Sequence, residues 1–309
     1  MTVRFVVLKA GVARIQDAGR RGFAHLGVPR AGAADQFAYR AALALAGHTR
    51  PAPAIEITAT DFACTATHDL FVAVTGAPCT VCIDDDPVPM WAPVHLRAGR
   101  TLTIRRIRQG LHVYVGVSGW LDTPRPLGSA AWDEVMGWGM RLQPGSKLAL
   151  HPSASSSEPA VRFPADAVPR YGTPWTVRVC PGPDTGRLGD LWDRFLHATY
   201  RVDSRSNAIG KRLLGPRLEN RGPSEVLSRG AAVGAVEWLP SGLPLVLLRN
   251  RGVTAGYPIL GVVASVDLDA VSQARPMDAL LWQPVTVSDA RHAYRDRWAR
   301  LPAALRCTP

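Results

Sequence analysis

Lysine is nearly absent from this 309-residue chain: Lys9, Lys147 and Lys211 are its only three, and arginine supplies the rest of the 36 basic residues. The formal net charge of +11 invites a nucleic-acid reading, since neutralised phosphates drive such binding. The arginines, however, are scattered among strands and turns without the aromatic interleaving of a stacking platform. A basic surface from an arginine-biased composition is expected, with no nucleic-acid partner. Cysteine is sparse and odd in number, at positions 64, 79, 82, 180 and 307, which does not make a secreted disulfide framework. Cys79 and Cys82 have CxxC spacing but sit in an apolar strand-like run, where they would point to opposite faces; buried structural thiols are expected.

Long hydrophobic runs are missing too. The opening "MTVRFVVLKAG" is too short in its apolar part for a signal peptide, and "VTAGYPILGVVASV" is interrupted by Gly and Pro. No membrane segment and a cytoplasmic location are the expectation. The local signatures of a phosphate loop, an HExxH zinc site, a GxSxG elbow and a dinucleotide fold are all absent, so no cofactor or metal bound by this chain is expected. "GVSGW" at 116–120 lacks the last glycine of the elbow and reads as a strand end and turn.

What is present is punctuation. Twenty-eight glycines and 26 prolines separate short Val/Leu/Ile-rich runs, the pattern of a mainly β protein built from many short strands. Strands are expected at "VRFVVLKA", "AIEIT", "LFVAVTG", "TVCID", "TLTIRRI" and "LHVYVGVSG", then at "TVRVCPG", "LPLVLLRN", "PILGVVASVDL" and "LLWQPVTV". A helix should start on Asp35 as N-cap and close on Gly47. A second, "DTGRLGDLWDRFLHATY", places Leu188, Leu191, Trp192, Phe195 and Leu196 on one face, and a last one is capped by Ser288. The Ser/Pro-rich stretch 151–172 is the strongest composition break. It divides the chain into a domain over 1–150, a linker over 151–172 and a domain over 173–309.

Three polar clusters stand out. The first is Gln16-Asp17-Ala18-Gly19-Arg20, with Gly27-Val28-Pro29 and Ala31 to Asp35 behind it; the second is Ser206 to Leu213; the third runs from Gly234 through "PSGLPLVLLRNRGVTAGYP" to Gln273-Ala274-Arg275-Pro276. In order and spacing, QDxGRxG, GVPxxGxxD, the "EIT" strand, SNxxGxRLxG, the TxGYP stretch and QARPxD resemble the C-type subunit of prokaryotic 5-oxoprolinase. That family, also called KipA-like, is related to the carboxyltransferase region of urea carboxylase. The resemblance covers nearly the whole chain. It implies a mainly β fold of two β-barrel-like domains, the C-terminal one cyclophilin-like, with a few peripheral helices.

The resemblance also implies partners: a KipI-like B-type subunit, joined by an A-type subunit in the 5-oxoprolinase complex. ATP or carboxybiotin would act through those partners, and the substrate would be a small amide or lactam. Gln16, Asp17 and Arg20 offer an amide, a carboxylate and a guanidinium for orienting such a group, or Asp17 and Arg20 pair and merely shape the turn. Asp17 and Asp35 are the candidate catalytic carboxylates, Asp35 being also an N-cap. Gln16, Arg20, Arg251, Tyr257 and Gln273 are the candidate substrate-binding residues, the first cluster on one wall of a shared pocket and the third on the other. Glu56 is expected at an exposed rim; a barrel-interior position would instead desolvate it and raise its pKa. Ala208 stands where the family usually has arginine, Asn250 where it has aspartate, and Glu237 and Leu243 where it has glutamine. The usual SxST run is missing from "LGSAAWDEVMGWG", so the chain is a divergent member. A non-catalytic regulatory protein of the KipA type, or a repurposed enzyme of specialised metabolism, is the alternative reading.

Overall fold

The structure is a computed structural model that describes residues 3–151, 163–219, 222–302 and 306. Its chain divides into two compact units: residues 1–20, 31–171 and 298–309 form the first, and 21–30 with 172–297 the second. The division differs from a simple split at the Ser/Pro-rich stretch, because a ten-residue loop and the C-terminal segment change sides. Residues 152–162 of that stretch lie outside the described residues, as does Cys307.

The first unit is built from two antiparallel sheets. Seven strands, β1 (Val3–Lys9), β4 (Phe62–Ala66), β6 (Thr80–Ile83), β7 (Asp86–Pro87), β9 (Thr101–Arg105), β11 (Trp120–Asp122) and β12 (Lys147–His151), lie in the order β11-β12-β1-β4-β9-β6-β7. Five more, β2 (Ala13–Gln16), β3 (Ala54–Thr58), β5 (Leu70–Gly76), β8 (Pro93–Leu96) and β10 (His112–Val117), lie in the order β2-β3-β10-β5-β8. One core fills the space they enclose, with Phe5, Val7, Ile15, Ile55, Ile57, Phe62, Val113, Val115 and Leu148 buried in it. This unit is barrel-like in enclosing a single core, without closing into one barrel.

Strand β10 is buried at all six positions, which a one-faced strand could not be. Its second face is covered by α1 (Gln36–Leu45). Gly116 makes that approach feasible: a Cβ there would stand 2.4 Å from the Ala42 carbonyl oxygen. Thr75 Oγ1 on the neighbouring strand donates to Ala38 O at 2.6 Å. The helix starts as expected, with the Asp35 side chain accepting from Ala38 N. It ends at Ala46, followed by Gly47 at φ +87°. Trp298, near the chain's end, packs edge-to-face on Phe37 of this helix, with ring centroids 5.8 Å apart.

The second unit carries a closed seven-stranded barrel. Its strands are β13 (Trp175–Pro181), β14 (Tyr200–Val202), β15 (Gly210–Leu214), β17 (Ala235–Trp238), β18 (Pro244–Leu247), β20 (Ile259–Val263) and β21 (Ala279–Pro284), and the parallel pair β13/β21 closes the ring. A small ribbon of β16 (Arg229–Gly230) and β19 (Thr254–Ala255) lies outside it. The expected helix over 184–200 is only partly formed. Gly189 takes φ +62° and separates a 3-10 turn at Thr185–Arg187 from α2 (Leu191–Leu196). Phe195 of α2 meets the Trp282, Tyr200 and Trp238 rings at 4.6, 5.8 and 6.2 Å, contacts worth about 0.5–1.5 kcal/mol each beyond burial. Helix α3 (Leu268–Gln273) follows β20, and α4 is Val287–Ala299. The cap of α4 is Thr286 instead of Ser288: its hydroxyl donates to Asp289 Oδ2 and accepts from Asp289 N.

Candidate functional site

The glycine-rich turn after β2 is held by backbone and side chain together. Gly32, at φ +93°, backs directly onto Gly19: a Cβ on Gly32 would lie 2.7 Å from the Gly19 nitrogen. The two segments of the turn can touch because Gly32 carries no Cβ. The Asp17 carbonyl accepts from Ala33 N at 2.9 Å, and its carboxylate gathers the far side. Oδ1 accepts from Gly19 N at 2.8 Å and Ser129 Oγ at 2.7 Å, and Oδ2 from Ala130 N at 2.7 Å. The expected acid/base carboxylate is thus already engaged by three donors, and its visible work is to tie residues 129–130 to the turn.

Arg20 does not pair with Asp17. Its side chain is wholly buried, with Nη1 3.2 Å from Asp133 Oδ2, Nη2 donating to Ala131 O at 2.8 Å, and its guanidinium stacked on Trp138 at 5.4 Å. Burial lowers its pKa, and the charges of Asp133 and, less strongly, Asp17 oppose the shift. The arrangement makes Arg20 a structural brace more than a hand offered to substrate. Gln16 differs. It is 4% exposed, its Nε2 reaches Trp132 O at 3.4 Å, and its buried Oε1 has no hydrogen-bond partner. An open, buried acceptor is costly unless something donates to it.

Above this turn lies a second network that sequence reasoning misjudged. Glu56 is 2% exposed, not at a rim. Its Oε2 accepts from the Tyr114 hydroxyl at 2.8 Å and Ala34 N at 2.9 Å, and its Oε1 faces Arg14 Nε at 3.2 Å and His112 Nδ1 at 3.9 Å. Burial pushes its pKa up, but His112, Arg14 and the two hydrogen bonds outweigh that and hold it below the ordinary carboxylate value. The Tyr114 hydroxyl accepts in turn from Asp35 N at 2.8 Å, and burial next to Glu56 raises its own pKa well above normal. Glu56 therefore stays ionised and Tyr114 protonated, a fixed chain that orients the start of α1. Asp35 caps that helix and also accepts from the Tyr171 hydroxyl at 3.3 Å.

The remaining candidates belong to the second unit. Arg251 Nε donates to Ala231 O at 2.8 Å, and burial lowers its pKa. Tyr257, half-buried, follows β19, and Gln273 is the fully buried last residue of α3. Gln16, Asp17 and Arg20 lie in the first unit and Arg251, Tyr257 and Gln273 in the second. Two further buried ionisable groups, one within the second polar cluster and one noted only as a departure from the family, were not read as site residues. Lys211 faces the barrel interior opposite Val246, with Nζ donating to Ala274 O at 2.8 Å and burial lowering its pKa to about 8. Glu237, on β17, is 4% exposed with an unpartnered Oε1, and burial raises its pKa. Cys64 and Cys82 are buried and free. Burial raises the half-buried Cys79 to about 12, which makes it an inert thiol. Among the described residues, no group of His, Cys, Asp and Glu could hold a metal ion, and no helix is long and apolar enough to cross a membrane.

The family model for the carboxyltransferase domain, subdomain A and B, matches residues 26–284. The C-type subunit of 5-oxoprolinase from Escherichia coli (strain K12) is 30% identical over 297 residues, covering 94% of each chain. Urea amidolyase of Saccharomyces cerevisiae is 25% identical over 93% of this chain, which spans 17% of that much longer protein. Among solved structures, the K. lactis urea amidolyase superposes with a TM-score of 0.89 at 25% identity, over 99% of this chain and 20% of its own. The Kluyveromyces lactis urea carboxylase gives 0.88 at 25% identity, over 99% and 30%. The motifs along the chain, the closed barrel and these matches agree: the chain belongs to the family of the carboxyltransferase domain, subdomains A and B, together with the C-type subunit of 5-oxoprolinase and the corresponding region of urea carboxylase.

Proposed function

We propose that this chain is one subunit of a heteromeric complex that processes a small amide or lactam, with Gln16 as a first-unit contact to the substrate amide. The observation that carries the reading is the buried Gln16 Oε1, an acceptor without a donor at the head of a braced turn. A lactam or urea N–H supplies such a donor, and a site built to receive it rejects analogues that lack it. The match to a 5-oxoprolinase subunit over 94% of both chains supports 5-oxoproline as the first substrate to test, and the urea amidolyase match supports urea as the second. Asp17, Asp35, Arg20 and Glu56 act here by positioning: they hold the turn and the start of α1. Arg251, Tyr257 and Gln273 are the second unit's proposed binding residues. ATP or carboxybiotin enters through partner subunits, the B-type one first among them.

The test is reconstitution. The chain, co-expressed with the products of neighbouring genes, is assayed for ATP-dependent opening of 5-oxoproline to glutamate, and for carboxylation of urea, with and without it. Turnover that requires this chain, with a KM raised about tenfold or more in Gln16→Leu at unchanged melting temperature, supports the reading. Equal turnover in its absence overturns it.

A further inference from the structure

Away from the glycine-rich turn, the first unit presents two arginines on one indole. Trp120 opens β11 and is half-buried. Arg50, from the loop after α1, and Arg125, from the loop after β11, are both exposed, with guanidinium carbons 5.1 and 5.0 Å from the Trp120 ring centroid. Neither makes a hydrogen bond or ion pair among the described residues. Asp122, the exposed carboxylate of the same strand, has His151 Nε2 3.5 Å from its Oδ2, an ion pair only when the imidazole is protonated. Each guanidinium lies over the ring and keeps N–H groups available, the fork that a carboxylate fits.

Two residues beyond Arg125, Leu127 is 40% exposed and held at φ +51°. A leucine rarely adopts that left-handed backbone, and here its apolar side chain is held toward solvent. Arg50 also bears on the buried His48, whose pKa is lowered by burial, raised in part by the Val117 carbonyl and lowered further by the Arg50 charge. Tryptophan and arginine are the side chains that dominate protein interfaces. A small-ligand site, by contrast, is concave and encloses its ligand, whereas both arginines and Leu127 stand exposed.

We propose that Arg50, Trp120, Arg125 and Leu127 form a docking surface for an acidic segment of a partner subunit, its carboxylates forked on the two guanidiniums and an apolar side chain on Leu127. A protein segment is the occupant because the two exposed guanidiniums complement acidic side chains and Leu127, two residues after Arg125, offers an exposed apolar side chain. Only its assignment to a subunit of the complex rests on the function proposed above.

The full-length chain is titrated with a Glu/Leu octapeptide at low salt, following Trp fluorescence, alongside Arg50→Glu/Arg125→Glu, Leu127→Ser and, as a control, the exposed Arg97→Glu. Affinity should fall about tenfold or more in the double reversal, fall severalfold in Leu127→Ser, stay unchanged in Arg97→Glu and drop steeply with added salt. Absence of peptide binding, equal affinity in the double reversal, or displacement of the peptide by millimolar inorganic phosphate overturns the proposal, the last by making this a small-anion site. In a second arm, capture of the co-expressed B-type subunit should fall by a similar factor in the double reversal. Undiminished capture overturns the assignment to that partner. Peptide binding that depends on the two arginines, with no capture of the B-type subunit by the unaltered chain, sinks the heteromeric reading and leaves the docking surface standing.

Discussion

Arg20 and Asp133 form an ion pair 3.2 Å long in which neither side chain is exposed, between residues 113 apart in sequence. Removing one partner of such a pair leaves a buried charge with nothing opposite it. Arg20→Ala should therefore cost about 3–5 kcal/mol of stability, read as a lower urea midpoint. The double variant Arg20→Met/Asp133→Leu should recover much of the loss. A melting temperature unchanged in Arg20→Ala, with weakened substrate binding, would return the guanidinium to a binding role.

Gly32 tests the turn itself. Alanine there meets the Gly19 nitrogen at 2.7 Å and sits at φ +93°, so the turn must open. Gly32→Ala should lower stability by about 1–3 kcal/mol, whereas Gly22→Ala, with nothing within 4 Å of the new Cβ, should cost only the strain of its own positive φ. Equal melting temperatures for the two would refute the close contact.

The Tyr114 hydroxyl joins two partners, donating to Glu56 Oε2 and accepting from Asp35 N. Tyr114→Phe leaves Glu56 without one donor and the Asp35 amide without its acceptor, a loss of about 1–3 kcal/mol. Because the Glu56 pKa is held below 4.5 in the folded chain, its ionised form contributes stability above that value and loses it as acid protonates it. Glu56→Gln should flatten the acid limb of stability against pH below about pH 4.5. Urea midpoints from pH 3 to 7 decide it.

Lys211 has the opposite sign. Its pKa falls from 10.5 to about 8 on folding, so between those values the unfolded chain binds more protons and stability rises with pH. Below pH 8 the buried charge carries a full penalty of about 3 kcal/mol. Lys211→Met removes that penalty and the hydrogen bond to Ala274 O together. It should gain stability at pH 7 and abolish the rise between pH 8 and 10. A variant that is less stable at pH 7 would mean that the bond to the end of α3 outweighs the cost of the charge.

Much of the architecture was legible in the chain's own pattern. The period of two in "VRFVVLKA" and "TLTIRRI", the turn residues between the runs and the Asp35 cap were enough to predict β1, β9 and α1, because alternation and capping are local, while shorter strands such as β2, β4, β12 and β17 went unread. The ordered motifs from Gln16 to Gln273 led to the family for the same reason: each is a short segment with set spacing. Where the local signal was thin, the reading slipped, at the Gly189 break and at the cap of α4.

What the sequence by itself determined, then, is which residues share a strand face, where the chain turns, and which family it joins. Only the tertiary structure decided what covers each face. Glu56 alternates with two isoleucines in any reading, yet α1 and the turn bury it, and Arg14, His112 and Tyr114 reverse the shift that burial alone would give. Asp17 and Arg20 lie three residues apart and look like partners, yet each finds its own in residues 129–133. An ionisable side chain's role is set by its neighbours within a few ångströms, and those neighbours come from segments a hundred residues away.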